Sequence, residues 1–253
     1  ALAAALRAGL TVARAVLAAT GPRDALVVGS SNPVRDLELV LGAAETWADD
    51  GSDDGSDDGS DGGASADGAA ASPLVLANRG LAGIDGTVST ALGVALARAV
   101  RSDARGGRTR ALLGDLTFLH DVGGLLAGPH EPAADLQLVV VNDDGGSIFA
   151  TLEHGALAAA SPAGAAVFEQ VFGTPHGADL AALCAGYGVR HRAVRDLAGL
   201  RDALARPAPG VEVVEVRVPR TDRLAESREV AARVAAAVRA VAVRAGAGDG
   251  SVG

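Results

Sequence analysis

Short apolar runs alternate along this chain with longer stretches in which apolar residues recur every three or four positions. The runs Ala25–Val28, Pro73–Leu76, Ala111–Leu113, Leu136–Val141, Val189–Val194 and Val211–Val218 predict six strands. They are continuous rather than alternating, the pattern of strands covered on both faces. Between them, 1–20 predicts an alanine-rich helix, and Thr87–Val100 one whose Val88, Ala91, Leu92, Ala95 and Ala99 share a face. Further helical stretches are Phe118–Leu126, a glycine-punctuated segment Ile148–Phe172, Ala178–Ala185, Asp196–Leu204 and a long amphipathic Thr221–Ala242. Strands alternating with helices predict an α/β fold: a doubly wound, mostly parallel six-stranded sheet with helices on both faces.

Composition changes this picture in one place. Residues 48–71 are glycine, serine, aspartate and alanine, in a recurring Asp-Asp-Gly-Ser. Such a segment buries too little apolar surface to offset its ordering entropy and reads as a disordered surface insertion. It also explains the net charge: removing its eight aspartates from −9 leaves −1. No cluster of positive charge suggests nucleic acid. Ala1–Thr20 carries Arg7 and Arg14 and runs into Gly21-Pro22, so neither a membrane span nor a signal peptide is expected. All 22 basic residues are arginine and the only cysteine is Cys184, which fits a reducing, cytoplasmic setting. The expected organisation is a helix over 1–20 leading in from an upstream domain, one folded domain over 21–244 and a flexible tail over 245–253.

Two motifs carry candidate chemistry. Gly114-Asp115-Leu116-Thr117 and Asn142-Asp143-Asp144-Gly145-Gly146 each follow a predicted buried strand. Asp115 and Asp143 are 28 positions apart, room for one crossover helix between neighbouring parallel strands. Both would then emerge at the carboxyl ends of strands, where open α/β sheets bind ligands. Two carboxylates and a backbone carbonyl beside glycine suit Mg²⁺ with open positions for phosphate oxygens. The plain alternative is an α/β domain whose strand-end aspartates cap the next helices. The five histidines have no metal-ligand spacing and read as structural.

A third motif, Asn78-Arg79-Gly80-Leu81-Ala82-Gly83-Ile84-Asp85-Gly86-Thr87, joins these two. Together with Thr151–Gly155 and Phe172–His176, they closely resemble MenD-type 2-succinyl-5-enolpyruvyl-6-hydroxy-3-cyclohexene-1-carboxylate (SEPHCHC) synthases of actinobacteria. The resemblance covers residues 15–240 apart from the acidic insertion. It implies the thiamine diphosphate-binding fold, thiamine diphosphate with Mg²⁺ or Mn²⁺, and transferase chemistry in menaquinone biosynthesis.

By this resemblance Asp115, Asp143 and the Gly145 carbonyl are the metal ligands. Asn142 is the alternative should the register shift by one; many relatives carry asparagine where Asp143 stands. Gly29, Ser30 and Thr117 offer backbone and hydroxyl donors to the diphosphate, and Gly114 and Leu116 join the cofactor-binding set. Ile84 is the wedge beneath the bent cofactor, and Ile148 with Phe149 walls its aminopyrimidine. Ser31, Arg35 and Arg79 bind substrate. Read without the resemblance, Ile84, Ile148 and Phe149 are core packing and the two arginines solvated charges.

The implied reaction joins 2-oxoglutarate to isochorismate with loss of CO₂. Both substrates are dicarboxylates, which guanidinium groups grip with paired charge-assisted hydrogen bonds. The resemblance places the activating glutamate in an amino-terminal domain, with the active site shared between subunits of a homodimer or homotetramer. No catalytic acid or base is therefore assigned within this chain, and the chain alone is expected to be inactive. Two other readings stand beside this one. The first is another thiamine enzyme, acetohydroxyacid synthase-like; the second is a non-catalytic cofactor-domain module.

Overall fold

The computed structural model describes residues 9–45, 72–78, 80, 83–101, 107–220 and 223–248, with side chains for all but 42–45 and 240–248. The expected acidic insertion, the start of the first helix and Arg79 lie outside the described residues.

In chain order, α1 (Gly9–Ala18) leads to β1 (Ala25–Val28), α2 (Asn32–Glu45), β2 (Leu74–Ala77) and α3 (Thr87–Ala99). Then follow β3 (Thr109–Gly114), α4 (Asp115–His120) and β4 (Leu136–Asn142). Next come two short helices, α5 (Gly155–Ala160) and α6 (Pro162–Phe168), and then α7 (Leu180–Gly186). The chain continues through β5 (Arg190–Val194), α8 (Leu197–Ala205), β6 (Val211–Arg217) and α9 (Arg223–Gly248). All six predicted strands form. Unpredicted is α2, which starts at Asn32-Pro33, a residue pair that suits a helix start. The stretch expected as one helix over Phe118–Leu126 begins earlier, at Asp115, and gives way to a 3₁₀ turn over Val122–Leu125. The last helix reaches Gly248, into the stretch expected as a loose tail, and its Val234 and Val238 are exposed.

Contacts divide the chain into two compact units: Ala1–Asp143 with Gly177–Val218, and Asp144–His176 with Pro219–Gly253. The first unit holds the sheet. Its strand order is β2-β1-β3-β4-β6-β5, and every pair is parallel. Burial explains the continuous apolar runs, because consecutive strand residues feed two different cores. Leu26, Val28, Leu112, Val139 and Val214 pack with α1, α2 and α8 through Val12, Val16, Leu37, Leu200 and Leu204. Val27, Leu113, Leu138, Val140 and Val213 pack on the other face with Val88, Ala91, Phe118, Leu180 and Cys184. Each fully buried Leu, Val or Phe contributes about 1.5–3 kcal/mol relative to exposure, so both faces are strongly driven shut. The sheet is doubly wound, as the pattern predicts.

The second unit carries a 3₁₀ segment (Ser147–Thr151), α5, α6, a π-helical turn (Glu169–Gly173) and α9. The expected glycine-punctuated helix over Ile148–Phe172 is thus four short pieces.

Candidate functional site

At the carboxyl end of the sheet, β3 and β4 run in register from Thr109 opposite Leu136 to Gly114 opposite Val141. Asp115 follows Gly114 directly and Asp143 follows the last residue of β4, so both carboxylates leave one edge from adjacent parallel strands. Asp115 is only 2% exposed, and its Oδ1 accepts a hydrogen bond from its neighbour Leu116 N at 2.6 Å. Thr117 is equally buried, one turn into α4.

The turn after β1 lies beside this edge. Gly29 N donates to Leu112 O at 2.9 Å, extending the ladder by one residue. A Cβ on Gly29 would sit 3.2 Å from Leu113 Cδ2, tight enough to favour glycine. Ser30 follows, 7% exposed, and its Oγ is buried without a hydrogen-bond partner among the described residues. A buried hydroxyl of this kind costs about 1–3 kcal/mol unless something supplies a partner. Ser31 has φ 76°, a strained conformation for a non-glycine residue. Arg35 Nη1 donates to Ser31 O at 2.8 Å, tying the first turn of α2 to that strained residue. The expected Ser31–Arg35 pair is therefore in contact, through the serine backbone.

Asn142 and Asp143 part company. Asn142 Nδ2 donates to Glu215 Oε1 at 2.7 Å, inside a buried cluster reached by His191 Nε2 (2.9 Å) and Arg217 Nε (2.8 Å). Burial alone would raise the Glu215 carboxyl. The hydrogen bonds from Arg217 and Asn142, the Arg217 charge and the His191 contact outweigh it and hold the group below its ordinary value. Sequence reasoning missed this cluster, which depends on β6 lying between β4 and β5.

Ile84 is partly buried, two residues before Gly86, whose φ of 65° suits glycine and whose turn opens α3. The start of α3 is held from a distance. Asp121 accepts from Ser89 N (2.7 Å) and Ser89 Oγ (2.9 Å), while Asn78 Nδ2 donates to Thr90 Oγ1 at 3.1 Å. Asp121 thus caps a helix 32 residues away in the chain, a role no local signal gives.

In the second unit, Gly145 has φ 136°, and a Cβ there would lie 2.0 Å from Gly173 O. Gly146 N donates to that same carbonyl at 2.7 Å. Arg220 Nη1 also donates to it at 3.0 Å while Nη2 meets Glu169 Oε2 at 2.7 Å. The Gly-Gly step is therefore clamped, and only glycine fits. Phe149 packs edge-on to His154 (5.6 Å between centroids) and against Phe172 (5.5 Å); Ile148 is partly buried in the same 3₁₀ turn. His154 Nδ1 is buried without a hydrogen-bond partner among the described residues. Among the described residues no three His, Cys, Asp or Glu side chains gather as a metal site; the expected set needs only two carboxylates and a carbonyl. No described helix is long and apolar enough to cross a membrane.

The fold is shared with benzoylformate decarboxylase from Polynucleobacter necessarius, at a TM-score of 0.54 and 18% identity over 83% of this chain and 32% of that one. It is the thiamine diphosphate-binding α/β fold expected from the sequence. At the level of sequence, 214 residues (84% of the chain) are 49% identical to the SEPHCHC synthase of Rhodococcus erythropolis. The like-named proteins of Nocardioides sp. and Nocardia farcinica are 46% and 47% identical over 85% and 90% of the chain. The chain is a relative of the SEPHCHC synthases and spans about a third of their length (33–35%). No protein-family model matches it.

Proposed function

We propose that this chain is the cofactor-holding part of a SEPHCHC synthase, a thiamine diphosphate-dependent transferase that couples 2-oxoglutarate to isochorismate. The observation that carries the reading is the meeting of Asp115 and the Ser30 turn at one end of adjacent strands, within a chain 49% identical to such a synthase. The residues present fit the cofactor. Ser30 Oγ, buried and partnerless, is a donor suited to a diphosphate oxygen. Gly29 and Gly114 keep the strand ends free of side chains. The metal ligands carried over by the resemblance, Asp115, Asp143 and the Gly145 carbonyl, are all hard oxygen donors suited to Mg²⁺ or Mn²⁺, and the cation would offset the charge the second carboxylate brings near a diphosphate.

When bound, thiamine diphosphate supplies the carbanion chemistry for decarboxylation and carbon–carbon bond formation. The chain's own residues bind and orient. Ile84 supports the cofactor rings, Ile148 and Phe149 wall the aminopyrimidine, and Leu116 and Thr117 line the diphosphate end. Arg35, fixed on Ser31 O, and Arg79 receive substrate carboxylates. The proton-moving glutamate belongs to a different domain, so a site shared between subunits of a cytoplasmic homo-oligomer completes the enzyme.

The test is a product assay on the full-length protein. Consumption of 2-oxoglutarate with CO₂ release, dependent on thiamine diphosphate, Mg²⁺ and isochorismate, supports the reading. Activity on pyruvate instead would assign it to another thiamine enzyme class.

A further inference from the structure

A cavity of about 430 Å³ opens between α1 and α8, at the opposite end of the sheet from Asp115. Its wall includes Arg110, the second residue of β3, whereas Asp115 stands five residues further on, roughly 16 Å at the usual strand rise. We propose that this cavity is a binding site for a small organic anion, a carboxylate with a compact apolar body. The proposal does not depend on the function assigned above.

Three observations carry it. Among the described residues the cavity is lined by three arginines, Arg14, Arg110 and Arg201, and by no acidic side chain. Arg110 is already balanced: it pairs with Asp24 at 2.8 Å and also donates to Gln137 Oε1 and Leu204 O. Arg14 and Arg201 differ from it, since both are exposed and neither makes a hydrogen bond or ion pair with any described residue. Two guanidinium groups facing one concavity without a carboxylate are a receptor for a planar anion, which each can meet with paired charge-assisted hydrogen bonds.

The remaining wall chooses an organic ligand over an inorganic one. Ala15, Ala18 and Ala205 are too small to fill the space between the helices, and Leu197 and Leu204 supply apolar surface. The volume falls in the usual range for small-molecule pockets. The base is rigid: Gln137 Nε2 donates to Ala203 O at 2.9 Å and Arg110 to Leu204 O at 3.3 Å, fixing the end of α8 to the sheet. The cavity is therefore formed in advance of any ligand.

The test is titration calorimetry on the full-length protein with benzoate as probe, beside inorganic phosphate and benzyl alcohol. Saturable benzoate binding, at least about tenfold tighter than either comparison compound, is expected. Arg14→Gln and Arg201→Gln should each weaken it about fivefold to twentyfold, the scale of one lost charge-assisted contact. Ala18→Phe should block it by filling the space, with an unchanged melting temperature showing that the fold survives. Benzoate binding that persists in the double arginine variant, phosphate binding as tight as benzoate, or no saturable binding at all would overturn the proposal.

Discussion

Asn142 gives its side-chain amide to Glu215, at 2.7 Å, and so spends it inside the sheet while the next residue, Asp143, leaves the strand at the site edge. On the proposed assignment Asp143, not Asn142, is the metal ligand. Asn142→Ala is expected to act on stability, costing about 1.5–3 kcal/mol for a lost bond to a buried charged group. Asp143→Ala should weaken Mg²⁺-dependent cofactor binding. Thermal melts and calorimetry on both variants check the division.

Acid should attack the fold at Glu215. Its folded carboxyl lies below the ordinary value, despite burial, because of Arg217, Asn142 and His191. A depressed folded pKa contributes stability that is complete above the unfolded value and is lost as pH falls through the folded one. Melting temperature should therefore decline on going below the usual glutamate range. Glu215→Gln should show a lower plateau at neutral pH and a shallower acid slope. An identical acid slope in the variant would remove Glu215 as the cause.

Cys184 should be inert in the folded protein. Burial, with the nearby Glu215 charge, pushes its thiol up to about 11, so at pH 8 about one molecule in a thousand carries the thiolate. Iodoacetamide should leave the native protein unlabelled over an hour and label it readily in urea, read by mass spectrometry.

Gly145→Ala tests the clamped Gly-Gly step. The added methyl meets Gly173 O at 2.0 Å with a backbone at φ 136°. The variant should lose at least about 1–3 kcal/mol of stability. It should also lose most Mg²⁺-dependent cofactor affinity, since the loop must shift. Wild-type values for both in this variant would contradict the clamp.

Much of this was legible in the residues. The strand β1 has the bounds of its apolar run, and Asp115 and Asp143 do leave adjacent strands, because two-sided burial writes itself as continuous hydrophobicity. Other features depend on information no local pattern holds. Apolar residues of α2 face both ways, with Leu37 buried but Leu39 and Leu41 exposed, and this blurs the helical period. The Asn142–Glu215–His191 cluster needs the strand order, and β6 inserts between β4 and β5 against the order of the sequence. Asp121 reaches Ser89 only once α3 and α4 have docked on the same face. The partnerless hydroxyl of Ser30 becomes visible only after every neighbour is in place.

Titration calorimetry of thiamine diphosphate into the full-length protein, with and without Mg²⁺, decides whether the end of β3 holds the metal and the diphosphate. Wild type should bind tightly only with the cation. Asp115→Ala should weaken that binding at least about tenfold, roughly 1.4 kcal/mol, and erase most of the Mg²⁺ dependence. Ser30→Ala should weaken it less. Unchanged, Mg²⁺-dependent binding in Asp115→Ala would contradict the assignment of the β3 end as the metal and diphosphate site.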